Sequence, residues 1–145
     1  MAMLTLSKAQ KIIKLALDES ARLQLKPLCV VVLDERGALK AAAAADGTSL
    51  MRFEIAFGKA YGALGLGMGS RAIHKMALER PHFVSAYGAA THGRMVPVAG
   101  GVLIRNAKGA IIGAVGISGD TSDADEACAL AGIAGVGLTG DGGAA

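Results

Sequence analysis

Three side chains in the middle of the chain could move a proton beside a carboxylate. Lys59 stands inside the apolar run Phe53–Leu66, where loss of water lowers an ammonium's pKa. His92 and Arg94 lie two residues apart and precede the glycine pair Gly100-Gly101. A histidine base next to an arginine that holds a carboxylate suits proton transfer next to a carbonyl. That is the chemistry of an isomerase, decarboxylase or hydrolase of a small organic acid. Arginine can grip a carboxylate with two parallel hydrogen bonds, and paired glycines let a ligand come close to backbone. A pocket is therefore expected with Lys59, His92 and Arg94 as its lining and Gly100 and Gly101 in its wall. The plainer alternatives stand beside this: a lysine whose head snorkels to water, and histidines that are ordinary surface or capping residues. Glu54 lies five residues from Lys59 and so is not on its helix face.

Other chemistries lack their motifs. The stretch IIGAVGISGDTSDADEACALAG, from Ile111 to Gly132, has glycines after an apolar run but neither a P-loop lysine nor a GxGxxG spacing. Its acidic residues Asp120, Asp123, Asp125 and Glu126 have the wrong sign for a bound phosphate and the right sign for a helix N-terminus. There is no GxSxG for a serine nucleophile. No HxH or HExxH occurs, so no metal site is expected. Cys29 and Cys128 make no ligand spacing and read as buried thiols of a cytoplasmic protein.

Composition bounds the partners. Through Lys108 there are fifteen basic and seven acidic residues, and after it five acidic and none basic. The basic middle segment suggests an anionic ligand. Dispersed cations and only three Phe and two Tyr argue against nucleic acid. No run approaches the ~18 apolar residues of a membrane helix, and no basic start leads into an apolar export segment. Hydrophobic residues make up 52% of 145 residues, with 21 glycines. That is more small and apolar surface than one such core hides, so a homo-oligomer is expected.

The elements that must position these residues follow from period and punctuation. One domain is expected over 1–145, with residues 139–145 a frayed tail. Thr5 or Ser7 can cap a first helix, with Ser7 and Gln10 as a capping box, and Pro27 lies beyond its end. LCVVVLDERGALKAAAAAD reads as strand, turn, strand, and Glu35-Arg36-Gly37 makes the turn. A helix is expected from Ser49 to about Leu66, with Gly58, Gly62 and Gly65 as a stripe that admits a close neighbour. A second runs from Ser70 to Glu79. The segment from His82 to Arg94 has no clean period and reads as a long connection. MVPVAGGVLIR, NAKG and AIIGAVGIS form a second hairpin, and Ser122 with Asp125 caps a last helix to about Gly135. The order is α-β-β-α-α-β-β-α, an α/β chain of the α+β type with an antiparallel sheet.

Gly100-Gly101, GAIIGAVGISG and DADEACALAG together resemble the closing signature of the GlcG/HbpS family, a domain of unknown function also found at the C-terminus of PduO proteins. LTLSKAQKIIKLALDESARL with VVVLDERGAL resembles its first helix and hairpin, and GKAYGALGLGM its central helix with a Lys-Ala pair at Lys59. The resemblance covers nearly the whole chain. It implies a profilin-like or PAS-like fold, usually oligomeric, and haem binding in some members. For haem, His74, His82 and His92 are candidate ligands, as are Met68, Met76, Met95 and Tyr87. Arg71, Arg80 and Arg94 could pair with propionates. No CxxCH is present for covalent attachment. The leading expectation is a cytoplasmic protein that binds haem or a small anionic ligand. The alternatives are the small-acid enzyme and a non-catalytic assembly module.

Overall fold

Thr5 ends the first loop by accepting a hydrogen bond from the Lys8 amide, and helix α1 (Leu6–Arg22) follows it. Ser7 lies inside that helix, so the alternative capping box with Gln10 does not form. The computed structural model describes residues 3–144. Beyond α1 come β1 (Cys29–Asp34), β2 (Leu39–Ala44), α2 (Arg52–Leu66), α3 (Ser70–Glu79) and α4 (Pro81–Ala90). Strands β3 (Gly101–Arg105) and β4 (Ile111–Ser118), helix α5 (Ser122–Ala134) and strand β5 (Thr139–Asp141) complete the order. The strands form one antiparallel sheet, β2-β1-β4-β3-β5.

Alternation along β1 divides the core. Val30 and Val32 face α1 and α5 with Ile12, Val115, Ile117 and Ile133. Cys29, Val31 and Leu33 face α2 with Ala56, Ala60 and Ala63. A side-chain period of two puts neighbours on opposite faces, and both faces are covered, so β1 is apolar throughout. Helix α2 lies directly on β4 because Gly116 has no side chain: a Cβ there would overlap the Ala56 carbonyl. Gly116→Ala is therefore expected to lift α2 and destabilise the fold by about 1–3 kcal/mol, the usual cost of overpacking. A lower urea midpoint with an unchanged slope is the readout, and a shift under about 0.5 kcal/mol would show that the contact yields freely. The stripe Gly58, Gly62 and Gly65 is used inside the chain. A Cβ at these positions would meet Val96, Met95 and the Tyr87 hydroxyl.

Three expectations about elements are corrected. The supposed connection from His82 to Arg94 is mostly helix α4, with Pro81 at its first position, where the missing N–H costs nothing. Residues Met95–Gly100 are not strand. They run along α2, and the Val96 amide donates to the Gly58 carbonyl at 3.2 Å. The tail expected to fray instead adds β5 to the edge of the sheet, and the Gly142 carbonyl accepts from the Arg71 amide. Ala145 lies outside the described residues.

Candidate functional site

The most enclosed chemistry is found where α2, α4 and the β1–β2 turn meet. Helix α4 ends with Thr91, whose hydroxyl donates to the Tyr87 and Gly88 carbonyls at 3.0 and 3.1 Å. His92 and Gly93 then turn left-handed, at φ 57° and 80°. A non-glycine residue in that region costs on the order of 1 kcal/mol, and such residues gather at binding sites. The turn carries His92 and Arg94 onto one side of a cleft of about 330 Å³. Tyr61, Leu64 and Gly65 of α2, Tyr87 of α4, and Glu35, Arg36 and Gly37 of the hairpin turn complete it.

Aromatic rings organise this cleft. The Arg94 guanidinium lies 4.5 Å over the Tyr61 ring, and its Nε donates to the Thr91 carbonyl at 3.0 Å. Phe57 stacks on Tyr61 at 5.5 Å, and Phe83 on Tyr87 at 6.5 Å. Gly37, at φ 84°, leaves room for Tyr61, since a Cβ there would stand 3.0 Å from the ring. The Tyr87 hydroxyl donates to the Gly62 carbonyl at 2.7 Å, and burial pushes its pKa up. A cation resting on a ring keeps its in-plane donors for a ligand. Among the described residues Arg94 has no carboxylate partner.

Lys59, Gly100 and Gly101 are brought together, but away from this cleft. The Lys59 side chain is 2% exposed and that of Asp125 is 1% exposed. Lys59 Nζ donates to Asp125 Oδ2 at 3.1 Å and to the Ile117 carbonyl at 2.9 Å. Asp125 Oδ1 accepts from the Asp120 amide at 3.0 Å. Gly100, at φ 120°, leaves space for the ammonium, which a Cβ would approach to 2.8 Å. The Gly101 amide donates to Ser70 Oγ at 2.7 Å. Burial lowers the Lys59 pKa and raises that of Asp125. So Lys59 neither snorkels nor lines the cleft with His92 and Arg94. Asp125 is its counterion rather than part of a capping box, and Thr121 caps α5 by accepting from the Ala124 amide.

The remaining candidates are scattered. His74 Nδ1 lies 3.2 Å from the Pro97 carbonyl, and His82 is exposed in the first turn of α4; neither lines the cleft. Met68, Met76 and Met95 pack with Ile73 and Val84 in a small core of their own. Arg71 pairs with Asp123 and Glu126, which pushes its pKa up. Arg80 lies over Phe83 at 4.8 Å, and Arg105 pairs with Asp141 at 3.0 Å. Much of the basic middle segment is thus answered by the chain's own acidic end, an arrangement that charge counting reads as an external anion. Tyr61 and Arg36 are lining residues that the sequence reading passed over. Phe57 and Tyr61 at i and i+4 were the available signal, while Arg36 was read only as part of a turn.

The residues present fit a flat, carboxylate-bearing ligand: an imidazole, two guanidinium groups, and a wall of Tyr61, Tyr87 and Leu64. Comparison with known proteins points the same way. A family model described as haem degrading protein HbpS-like matches residues 4–134. No curated protein matches the chain. Among solved structures, PduOC in complex with haem is similar at 22% identity, over 94% of this chain and 97% of that one, with a TM-score of 0.84. HbpS is similar at 26% identity over 94% and 92%, with a TM-score of 0.80. Klebsiella pneumoniae protein ORFY, of the family model DUF336, gives 21% identity over 92% and 91%, with a TM-score of 0.81. The expected α/β fold, an antiparallel sheet with packed helices, is the fold of these proteins.

Proposed function

The chain belongs to the HbpS-like haem degrading protein family, and from that membership we propose that it binds haem in the cleft between α2, α4 and the β1–β2 turn. The observation that carries this reading is the placement of His92. Of the three histidines it is the one that lines the cleft, and it does so beside Arg94 and the Tyr61 ring. Bound haem supplies an iron centre for one-electron and oxygen chemistry. The chain's part is to hold and shield it. His92 would supply an axial nitrogen, Arg94 and Arg36 would grip propionates, and Tyr61, Tyr87 and Leu64 would cover apolar ring surface.

Two features bear on where this happens. Among the described residues no helix is long and apolar enough to cross a membrane. Cys29 and Cys128 are free and buried, which supports a reducing cytoplasm as the protein's compartment.

Haemin titration tests the proposal. A saturable Soret shift at one haem per subunit is the expected result; weak absorbance that never saturates would overturn it. If the protein then bound only small organic acids, the alternative of a small-acid enzyme would take its place. Arg94→Ala is expected to weaken haem binding by about 1.5–3 kcal/mol, the scale of a hydrogen bond to a charged group, or roughly tenfold to a hundredfold. Its thermal midpoint should barely move, because within the chain Arg94 bonds only the turn carbonyl of Thr91 among the described residues. Unchanged affinity in Arg94→Ala would remove the propionate role.

A further inference from the structure

The two edges of the sheet are not alike. Edge strand β5 is three residues long, and its Asp141 holds Arg105. Edge strand β2 is six residues long and pairs only with β1. The Ala45 amide donates to the Leu28 carbonyl at 2.9 Å, and register alternates from there. The backbone groups of Ala41 and Ala43 therefore face β1, and those of Ala42 and Ala44 face outward with no strand beside them. Proteins blunt such an edge with proline, charge, a bulge or shortness. Here the bulge lies at the Leu39 end, and the run Ala41–Ala45 carries none of these devices.

We propose that β2 is the surface on which a second copy of this chain docks, strand against strand, about a two-fold axis. The sheet then continues from one subunit into the other. Outward-facing groups must meet outward-facing groups, so even-numbered residues pair with even-numbered ones. With Ala43 on the axis, Ala42 lies opposite Ala44 of the second copy, and Lys40 opposite Asp46 of the second copy. Lys40 and Asp46 have opposite charge, and among the described residues neither has an ion-pair partner of its own. The neighbouring register, centred on Ala42, sets Lys40 against Ala44 and leaves both charges unanswered. Charge complementarity therefore selects both the occupant and the register.

The surroundings suit such a joint. Alanine side chains let two strands close without steric cost, above all at the axial Ala43 pair, where no hydrogen bonds hold the strands apart. Leu6 and Leu39 stand 50% and 56% exposed beside the edge. Leu6, Ile13, Ala41 and Ala43 form an apolar shelf between α1 and β2 that a second copy would cover. The proposal is independent of what the cleft binds.

Sedimentation equilibrium and amide hydrogen exchange test it on the intact chain. The expected result is a dimer in the micromolar range, with the Ala42 and Ala44 amides protected in the dimer and exposed on dilution. Lys40→Asp or Asp46→Lys sets like charges against each other across the axis and should weaken the dimer about tenfold or more. The double variant K40D/D46K should restore it. All of these positions are at the surface, so the melting temperature of each variant checks that the fold is kept. A monomer at all accessible concentrations would overturn the proposal. So would a dimer indifferent to the single reversals, a double variant that stays weak, or Ala42 and Ala44 amides that exchange freely in the dimer.

Discussion

Asp125→Ala is expected to cost about 3–5 kcal/mol of stability, because it leaves the Lys59 ammonium buried without a counterion. That is a large share of the roughly 5–15 kcal/mol that holds a domain of this size folded. The pair joins three elements: Lys59 comes from α2, the carbonyl of Ile117 from β4, and Asp125 from α5. Burial alone pushes both groups toward neutrality, Lys59 downward and Asp125 upward. The short contact and the backbone partners at Ile117 and Asp120 hold them as an ion pair instead. Lys59→Met should cost a similar amount, since it strands the carboxylate. The double variant K59M/D125L should recover most of the loss, because apolar groups of similar size need no partner. Urea unfolding at neutral pH reads all three. A loss under about 1 kcal/mol in Asp125→Ala would mean that water reaches Lys59, and the enclosed pair would have to be given up.

His92→Ala is expected to abolish saturable haem binding, whereas His74→Ala and His82→Ala leave it nearly intact. The reasoning is positional. His92 is set on the cleft by a left-handed turn at the end of α4, while the ring of His74 bonds the Pro97 carbonyl and His82 lies at the other end of α4. No neighbour fixes the His92 ring among the described residues, so its loss should leave the melting temperature close to that of the parent chain. Equal losses in all three variants would point to adventitious binding at surface histidines.

The sheet was legible because its signals are local. β-branched runs, Glu35-Arg36-Gly37 and Asn106-Ala107-Lys108-Gly109 mark both hairpins without any long-range information. Helix α4 was missed because PHFVSAYGAA buries only Val84 fully and uses its aromatic face on the cleft, so no apolar stripe shows. Strand β5 was missed because Thr139-Gly140-Asp141 has no strand preference and is held by β3 and by the Arg105–Asp141 ion pair. The site was half legible. His92 and Arg94 are near in sequence and end up together. Lys59 and Asp125 are 66 positions apart, and nothing local distinguishes a counterion from a capping carboxylate. The same blindness turned the acidic C-terminal helix and the basic middle segment into two separate observations, when Arg71, Asp123 and Glu126 make them one contact.

Chemical rescue of His92→Gly tests the haem site most directly. Glycine adopts the φ of 57° at this position without strain, so the variant keeps the turn and removes only the ring. The expected result is loss of the one-to-one Soret shift in His92→Gly and its return when free imidazole is added, with no such rescue in an Arg94→Ala protein. An unrescued His92→Gly, or one whose haem spectrum and stoichiometry match the parent chain without imidazole, would show that His92 is not the ligand and that haem does not bind in this cleft as proposed.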